Sequence, residues 1–503
     1  MSRRPAAPAA LFLTTLACLC GAAPAAGDDV IPAHPQELKY GDLKFEVPEA
    51  GAYVHHLKNG STVYLAEDHA LPLITLSVTA RTGSFLEPAG KVGLAGLTGT
   101  MMRAGGAGSR TAEAFDEQVD YLAANISSYI GNTRGRASVN CITQAMEDCI
   151  DLFFEMMKSP RFQEDRLEVE KENLREELKQ RNDSPQTISS REWDWLLHGR
   201  NHFSSRRMTL SDLEAITRED LVRFHARYFR PDQMMFAVSG DLDTESMLAE
   251  LNRRMSGWKV DGAPIPWPPP APVHRPVPGL YHSEKDIPQG RVLIGHPGIQ
   301  RKSWEDRDEF PLIIMNNILG GGGFTSRLLK RVRSDEGLAY SAGSAYTIGD
   351  YWPGTFLIFF QSKSRTVAQA AKISIEEMKK IREEPVSDEE LRVARNYYVD
   401  TFPRRFESKA ATVSTFVSDD YIGRPHSYWS SYRENIRKVS RKDVQRVARK
   451  YLHPDQLLYL VVGKWEEIGP GDPDGKASMK EIGGGHVRHL PVRDPLTLEP
   501  VKE

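Results

Sequence analysis

The chain has 503 residues, 40% hydrophobic and 26% charged, with a formal net charge of -3. That length exceeds what one compact core sustains and predicts two or more domains of ordinary globular composition. The near-balanced charge supplies neither the basic block of a nucleic-acid surface nor the acidic tract of a disordered tail.

Residues 1–26 read as an export signal: Arg3 and Arg4, an apolar run from Ala9 to Cys20, then the small-residue site Ala23-Pro24-Ala25. The run is too short to span a bilayer, and no later stretch reaches the required length, so no integral membrane segment is expected. The predicted address is exported, in the periplasm. Removing the leader takes two Arg and no acid, leaving a charge of -5. Cys141 and Cys149 then remain, on a predicted strand and the helix after it, and are expected as buried free thiols.

A polar, extended segment covers 27–47. Strands are predicted over 52–57, 61–67 and 73–82, the last with clear alternation. Helices follow over 93–102 and 111–122, then two strands within 127–141 and a helix over 146–158. A charged helix spans 163–182, a single capped helix 212–228, and an apolar, buried-type strand 234–240. Residues 261–279 are so dense in proline that neither helix nor central strand can form there. This stretch reads as a stiff spacer between a first domain, 48–260, and a second, 280–467. The Gly-, Pro- and charge-rich residues 468–503 read as a tail.

The two sides of the spacer repeat one another. Residues 216–242 align without gaps on 439–465, with Tyr228, Pro231, Asp232 and Gln233 falling on Tyr451, Pro454, Asp455 and Gln456. A helix, a proline turn and an apolar strand are one unit used twice. The fold class is therefore α+β: two tandem homologous α/β-sandwich domains joined by the proline-rich linker, clamshell-like.

Residues 316–340 (NNILGGGGFTSRLLKRVRSDEGLAY) carry the candidate chemistry. An apolar helix end breaks at Gly320, Gly321, Gly322 and Gly323; a basic amphipathic helix restarts, with Ser326 as its candidate cap. Arg333 ends that helix and Tyr340 opens the next strand. Two donors presented this way can converge on one oxygen and stabilise an oxyanion. Read as composition alone, the glycines are a loop and Arg333 is a solvated helix residue.

SRLLKRVRSDEGLAYS resembles the second-domain signature of the pitrilysin, insulysin and mitochondrial processing peptidase family of inverzincins. In that family an Arg and a Tyr at this spacing bind substrate opposite zinc, and Arg333 and Tyr340 are the matching positions. The first domain keeps the surroundings of the family's H-x-x-E-H helix, in Arg81-Thr82-Gly83-Ser84, Glu87-Pro88 and Gly93-Leu94-Ala95. At the motif itself stand Gly96, Leu97, Thr98, Gly99 and Thr100, none able to hold zinc or take a proton near neutral pH. The third ligand position retains a carboxylate, Glu177, with Glu170 seven residues before it; a solvated-face role explains both equally well. No cluster among the fourteen His offers a substitute site, and no G-x-S-x-G elbow is present.

The resemblance implies a member that has lost its own zinc site, with no cofactor in this chain. It further implies a non-catalytic, substrate-binding subunit of a heterodimeric endopeptidase whose zinc is held by a homologous partner, acting on peptide or unfolded protein. The alternative is a retired peptide-binding or scaffold protein of the same fold. A free-standing hydrolase would need stoichiometric zinc in the purified chain.

Overall fold

The structure is a computed structural model that describes His34 and residues 37–38, 44–260, 262–269 and 274–501. The expected leader lies outside the described residues. Within 1–45 the described chain makes one short turn, Glu37 N donating to His34 O at 3.0 Å. Residues 46–503 form one compact unit.

That unit is built around two six-stranded sheets. The first half contributes β1 (Val54–His56), β2 (Thr62–Glu67), β3 (Leu73–Arg81), β4 (Asn125–Ile130), β5 (Arg134–Ile142) and β6 (Met234–Gly240). Its helices are α1 (Leu94–Ala104), α2 (Ala112–Tyr121), α3 (Met146–Lys158), α4 (Glu164–Gln180), α5 (Pro185–His198), α6 (Leu210–Ala215), α7 (Arg218–Tyr228) and α8 (Thr244–Met255). The second half contributes β7 (Gly279–Glu284), β8 (Gln289–Pro297), β9 (Ile299–Gln300), β10 (Ala339–Tyr346), β11 (Ile348–Gly349), β12 (Thr355–Lys363), β13 (Leu458–Gly463) and β14 (Val487–Leu490). Its helices are α9 (Glu309–Asn316), α10 (Arg327–Leu329), α11 (Val367–Glu383), α12 (Asp388–Thr401), α13 (Lys409–Ile422), α14 (Ser427–Lys438), α15 (Arg441–Tyr451) and α16 (Trp465–Ile468).

The duplication read from the sequence is present in three dimensions. The sheets run β1-β2-β6-β3-β5-β4 and β14-β7-β13-β8-β12-β10. In each, the second and third strands pair in parallel and the third to sixth are antiparallel. Helix α7 starts at 218 and α15 at 441; both are closed by capping boxes, from Thr217 and Ser440. The first strand of each order breaks the symmetry. Strand β1 folds back antiparallel on β2, whereas β14, from the segment read as a tail, joins β7 in parallel.

The apolar runs of β6 and β13 are explained by a reciprocal exchange of helices. Helix α13, from the second half, packs on β2 and β6 of the first sheet, and α5, from the first half, packs on β13 and β8 of the second. Each central strand is thus covered on both faces, the condition that produces continuous hydrophobic rather than alternating sequence. Under α5, Trp193 and Leu197 meet Tyr281, Leu293, Leu458 and Leu460. Under α13, Phe416 lies 5.7 Å from the ring of the fully buried Tyr64, whose hydroxyl donates to Asp420 Oδ2 at 2.8 Å.

Two local expectations are corrected. The helix expected over 212–228 is two, α6 and α7, because Thr217 leaves helical geometry to cap the second with Asp220. Helix α5 was not anticipated, although Ser184 caps it, Pro185 opens it and Gly199 stops it. The spacer's described residues up to 278 have no regular structure, Gly279 already opens β7, and the spacer is held by Arg230 Nη1, which donates to Ala263 O at 2.8 Å. The Arg81 guanidinium stacks on the spacer's Trp267 at 3.2 Å. Cys141 and Cys149 are free and buried, and burial, with Cys149 adjacent, pushes the Cys141 thiol up to about 12.

Candidate functional site

The segment from 309 to 346 is wound more loosely than its sequence suggests. Helix α9 runs into a π turn over Asn317–Gly321, and α10 into another over Lys330–Asp335. Gly320 is buried in the first. A Cβ there would fall 2.3 Å from Ser344 N, so this glycine serves close packing onto β10, not approach to a ligand. Gly321 and Gly323 are exposed, and Gly323 turns the chain at φ +59. Ser326 sits at the N-cap of α10 but does not cap it; its Oγ donates back to Gly323 O at 2.6 Å.

The π turn over 330–335 and the reversal at Gly337 (φ +65) bring Arg333 against Tyr340. The guanidinium carbon lies 4.6 Å from the Tyr340 ring centre and 4.9 Å from that of Phe324. Tyr340 is 82% exposed and Phe324 73%. A bulge in β10 explains the presentation of Tyr340. Ala339 and Ala342 oppose Ser362 and Phe360, so β10 carries one extra residue, and both Tyr340 and Ser341 turn outward.

The two other arginines of this segment are engaged. Arg327 forms a two-pronged pair with Glu390 (2.6 and 3.0 Å), tying α10 to the capping box of α12. Burial alone would raise Glu390, but Arg327 and the Ser387 N–H hold it at about 2. Arg331 reaches Glu377 at 3.5 Å. Arg333 has no carboxylate partner among the described residues. It is a cation held between two aromatic rings with its donors free, beside a phenol. Phe324 was not singled out from the sequence; its signal is an aromatic at an exposed turn between glycines and a basic helix.

The other half of the expected site does not fit a metal. Gly96 and Thr100 are exposed on one face of α1, while Gly99 is buried against β4. Nothing lies within 4 Å of a Cβ built at Gly96, but at Gly99 it would meet Ile130 N at 2.3 Å and the Tyr129 carbonyl carbon at 2.7 Å. Ser128 Oγ closes that contact by donating to Gly99 O at 2.7 Å. Helix α1 lies on β4 at a separation only glycine allows, and no grouping of three His, Cys, Asp or Glu that could hold an ion occurs among the described residues. Helix α4 packs beside α1 and carries Glu170, half-buried, and Glu177, exposed. The start of α1 is set by Glu87, whose Oε1 accepts from Gly93 N and Ala95 N, each at 3.0 Å. Burial pushes Glu87 up to about 7 against those bonds and against Arg206, 3.7 Å away.

With Gly96, Gly99 and Thr100 at the motif positions on one half and an Arg–Tyr pair on the other, the molecule has the parts of a two-domain peptidase fold without its metal ligands. Residues 62–193 match the family model described as insulinase, peptidase family M16, and residues 215–398 the one described as peptidase M16 inactive domain. The chain belongs to peptidase family M16. It is 21% identical over 420 residues to the non-peptidase homolog YmxG of Helicobacter pylori, covering 82% of this chain and 95% of that one. It is 28% identical over 246 residues to an uncharacterized zinc protease of Mycobacterium leprae, 48% of this chain and 54%, about half, of the relative. The crystal structure of a peptidase M16 inactive domain from Pseudomonas fluorescens superimposes with a TM-score of 0.71 at 23% identity, over 82% of this chain and 97% of that one. This chain has the M16 fold.

Proposed function

We propose that this protein is an exported, substrate-binding subunit of a heterodimeric zinc endopeptidase, its zinc supplied by a homologous partner with an intact motif. The observation that carries the reading is the exposed Arg333–Tyr340 pair. A fold that had lost its metal ligands and all dealings with peptide has no use for an unpaired guanidinium held beside an outward phenol on a bulged edge strand. In this role the two side chains donate to a peptide carbonyl and to the oxyanion that develops from it. Removal of one such donor typically costs ~3 kcal/mol in the transition state. Strands β4 and β10 end their sheets and offer unpaired edges along which an extended peptide can lie as a further strand.

The test is co-expression with an exported homologue carrying H-x-x-E-H, followed by peptide hydrolysis by the purified pair. Arg333→Ala and Tyr340→Phe are expected to lower kcat by a hundredfold or so while the pair still assembles. Unchanged hydrolysis in both variants rejects the assignment.

The second reading is a retired peptide-binding or scaffold protein. The close packing of Gly99 on β4 favours it in one respect, since a longer side chain at that motif position would collide with the Ile130 amide. Peptide binding by the chain alone, with no partner restoring hydrolysis, decides for this reading.

A further inference from the structure

A cavity of about 470 Å³ opens beside the exposed Glu177, between the end of α4, the first turns of α5 and Arg207. Three guanidiniums line it: Arg181, Arg191 and Arg207. Their carboxylate partners do not balance them. Arg191, only 4% exposed, donates to Glu192 Oε1 at 3.1 Å, but Arg493 Nε claims the same oxygen at 2.9 Å. Arg207 is paired with Asp194. Arg181 donates through Nη2 to a backbone carbonyl, Met208 O, at 2.8 Å, and its buried Nη1 has no partner among the described residues. Glu177 is an acidic neighbour.

A buried N–H without an acceptor costs ~1–3 kcal/mol, and a charged one more. Burial, then the neighbouring Arg191, brings the Arg181 guanidinium down to about 10. The α5 helix, 14 residues long, aims its N-terminus here, with Gln186 and Thr187 of its first turn on the wall. Helix N-termini favour anions, and Arg forks match the two oxygens of a carboxylate. A bound oxyanion would screen three like charges at once.

We infer that this pocket binds a carboxylate, and that its ligand is the C-terminal carboxylate of a peptide. The choice of ligand rests on the peptide-binding reading above; the pocket's affinity for an oxyanion does not. Glu177, at the vestigial ligand position, sits on the rim and selects against ligands bearing further negative charge.

The experiment measures fluorescence anisotropy of one labelled decapeptide as free acid and as C-terminal amide, using the full chain. The free acid is expected to bind at least tenfold more tightly. Arg181→Gln and Arg207→Gln should each abolish that ratio, and Arg333→Ala should weaken both forms equally. Equal affinity for acid and amide in the wild type, or a ratio that survives both pocket variants, overturns the inference while leaving peptide binding intact. If neither form binds, the peptide-binding reading falls and inorganic phosphate decides the pocket. A rise in Tm with phosphate that disappears in both pocket variants sustains an oxyanion site; no rise removes it.

Discussion

Gly99 of α1 and Ile130 of β4 approach so closely that a Cβ at 99 would stand 2.3 Å from the Ile130 amide nitrogen. Two glycines of one helix, Gly96 and Gly99, thereby respond to substitution in opposite ways. Gly96 is exposed with nothing within 4 Å of a built Cβ, so Gly96→Ala removes only backbone freedom from a helix interior and should stabilise the protein by ~0.5–1 kcal/mol. Gly99→Ala must push α1 off the sheet and should destabilise by ~2 kcal/mol or more. Urea titrations of the two variants measure both signs. A neutral Gly99→Ala would mean that α1 does not rest on β4 as described. The same contact predicts that restoring the motif by Gly96→His, Gly99→Glu and Thr100→His fails to yield a stoichiometric zinc protein.

Arg333 and Tyr340 are clean probes because neither is part of the core. Tyr340 is largely exposed and Arg333 has no ion pair among the described residues to lose. Arg333→Ala and Tyr340→Phe should each change stability by less than ~0.5 kcal/mol. Arg327→Ala, which strips Glu390 of its two-pronged partner, should cost more, ~1–3 kcal/mol. Thermal melts of the three variants rank them. If Arg333→Ala proves as costly as Arg327→Ala, Arg333 is a structural residue and its functional role loses its basis.

The pairing of Arg333 with Tyr340 was legible because both ends of the turn between them are local: a basic helix, a glycine reversal and a strand start, all within a few residues. The duplication was legible for a similar reason, since Pro231 and Pro454 mark the same turn in each half. What stayed hidden depends on residues far apart in sequence. Trp193 and Leu197 of α5 read as an unremarkable mixed segment, because the surface they cover, Tyr281 and Leu458, belongs to the other half. Strand β14 was read as tail because its own four residues carry no strong alternation; it is a strand because β7 offers an edge. The bulge that turns Tyr340 outward exists only in the register of β10 against β12. Arg181, Arg191 and Arg207 similarly converge only where the end of α4, the first turns of α5 and the segment before α6 line one cavity.

Glu87 should make stability depend on pH in the neutral range. Its side chain is 2% exposed, and burial, which disfavours the charge, pushes the carboxyl up to about 7 in the folded chain against an ordinary 4.5. The folded state therefore binds the proton more tightly than the unfolded state. The stability this group contributes is complete below 4.5 and is lost as pH rises through 7, by up to ~3 kcal/mol. Glu87→Gln keeps a carbonyl acceptor for the Gly93 and Ala95 amides and cannot ionise. Relative to wild type, the variant should gain stability steadily between pH 5 and pH 8 in ~0.1 M salt. Parallel stability profiles over that range would show that Arg206 and the helix N-terminus outweigh burial.

Because each half covers a central strand of the other's sheet, the two should melt as one. Phe416 belongs to α13 of the second half yet packs on Tyr64 and Tyr53 of the first. Phe416→Ala leaves a cavity between them and should cost ~3–5 kcal/mol. Trp193→Ala, the reciprocal change, opens one between α5 and Leu458 or Leu460 at a similar cost. Independent halves would each register a substitution in their own sheet only, and calorimetry would resolve two transitions, one shifted and one fixed. With exchanged helices, either variant should lower a single transition for the whole unit, since neither sheet keeps its cover when the other half unfolds. Tyr64→Phe tunes the same interface more gently. It removes the hydroxyl that donates to Asp420 at 2.8 Å, and ~1–2 kcal/mol should be lost without a cavity.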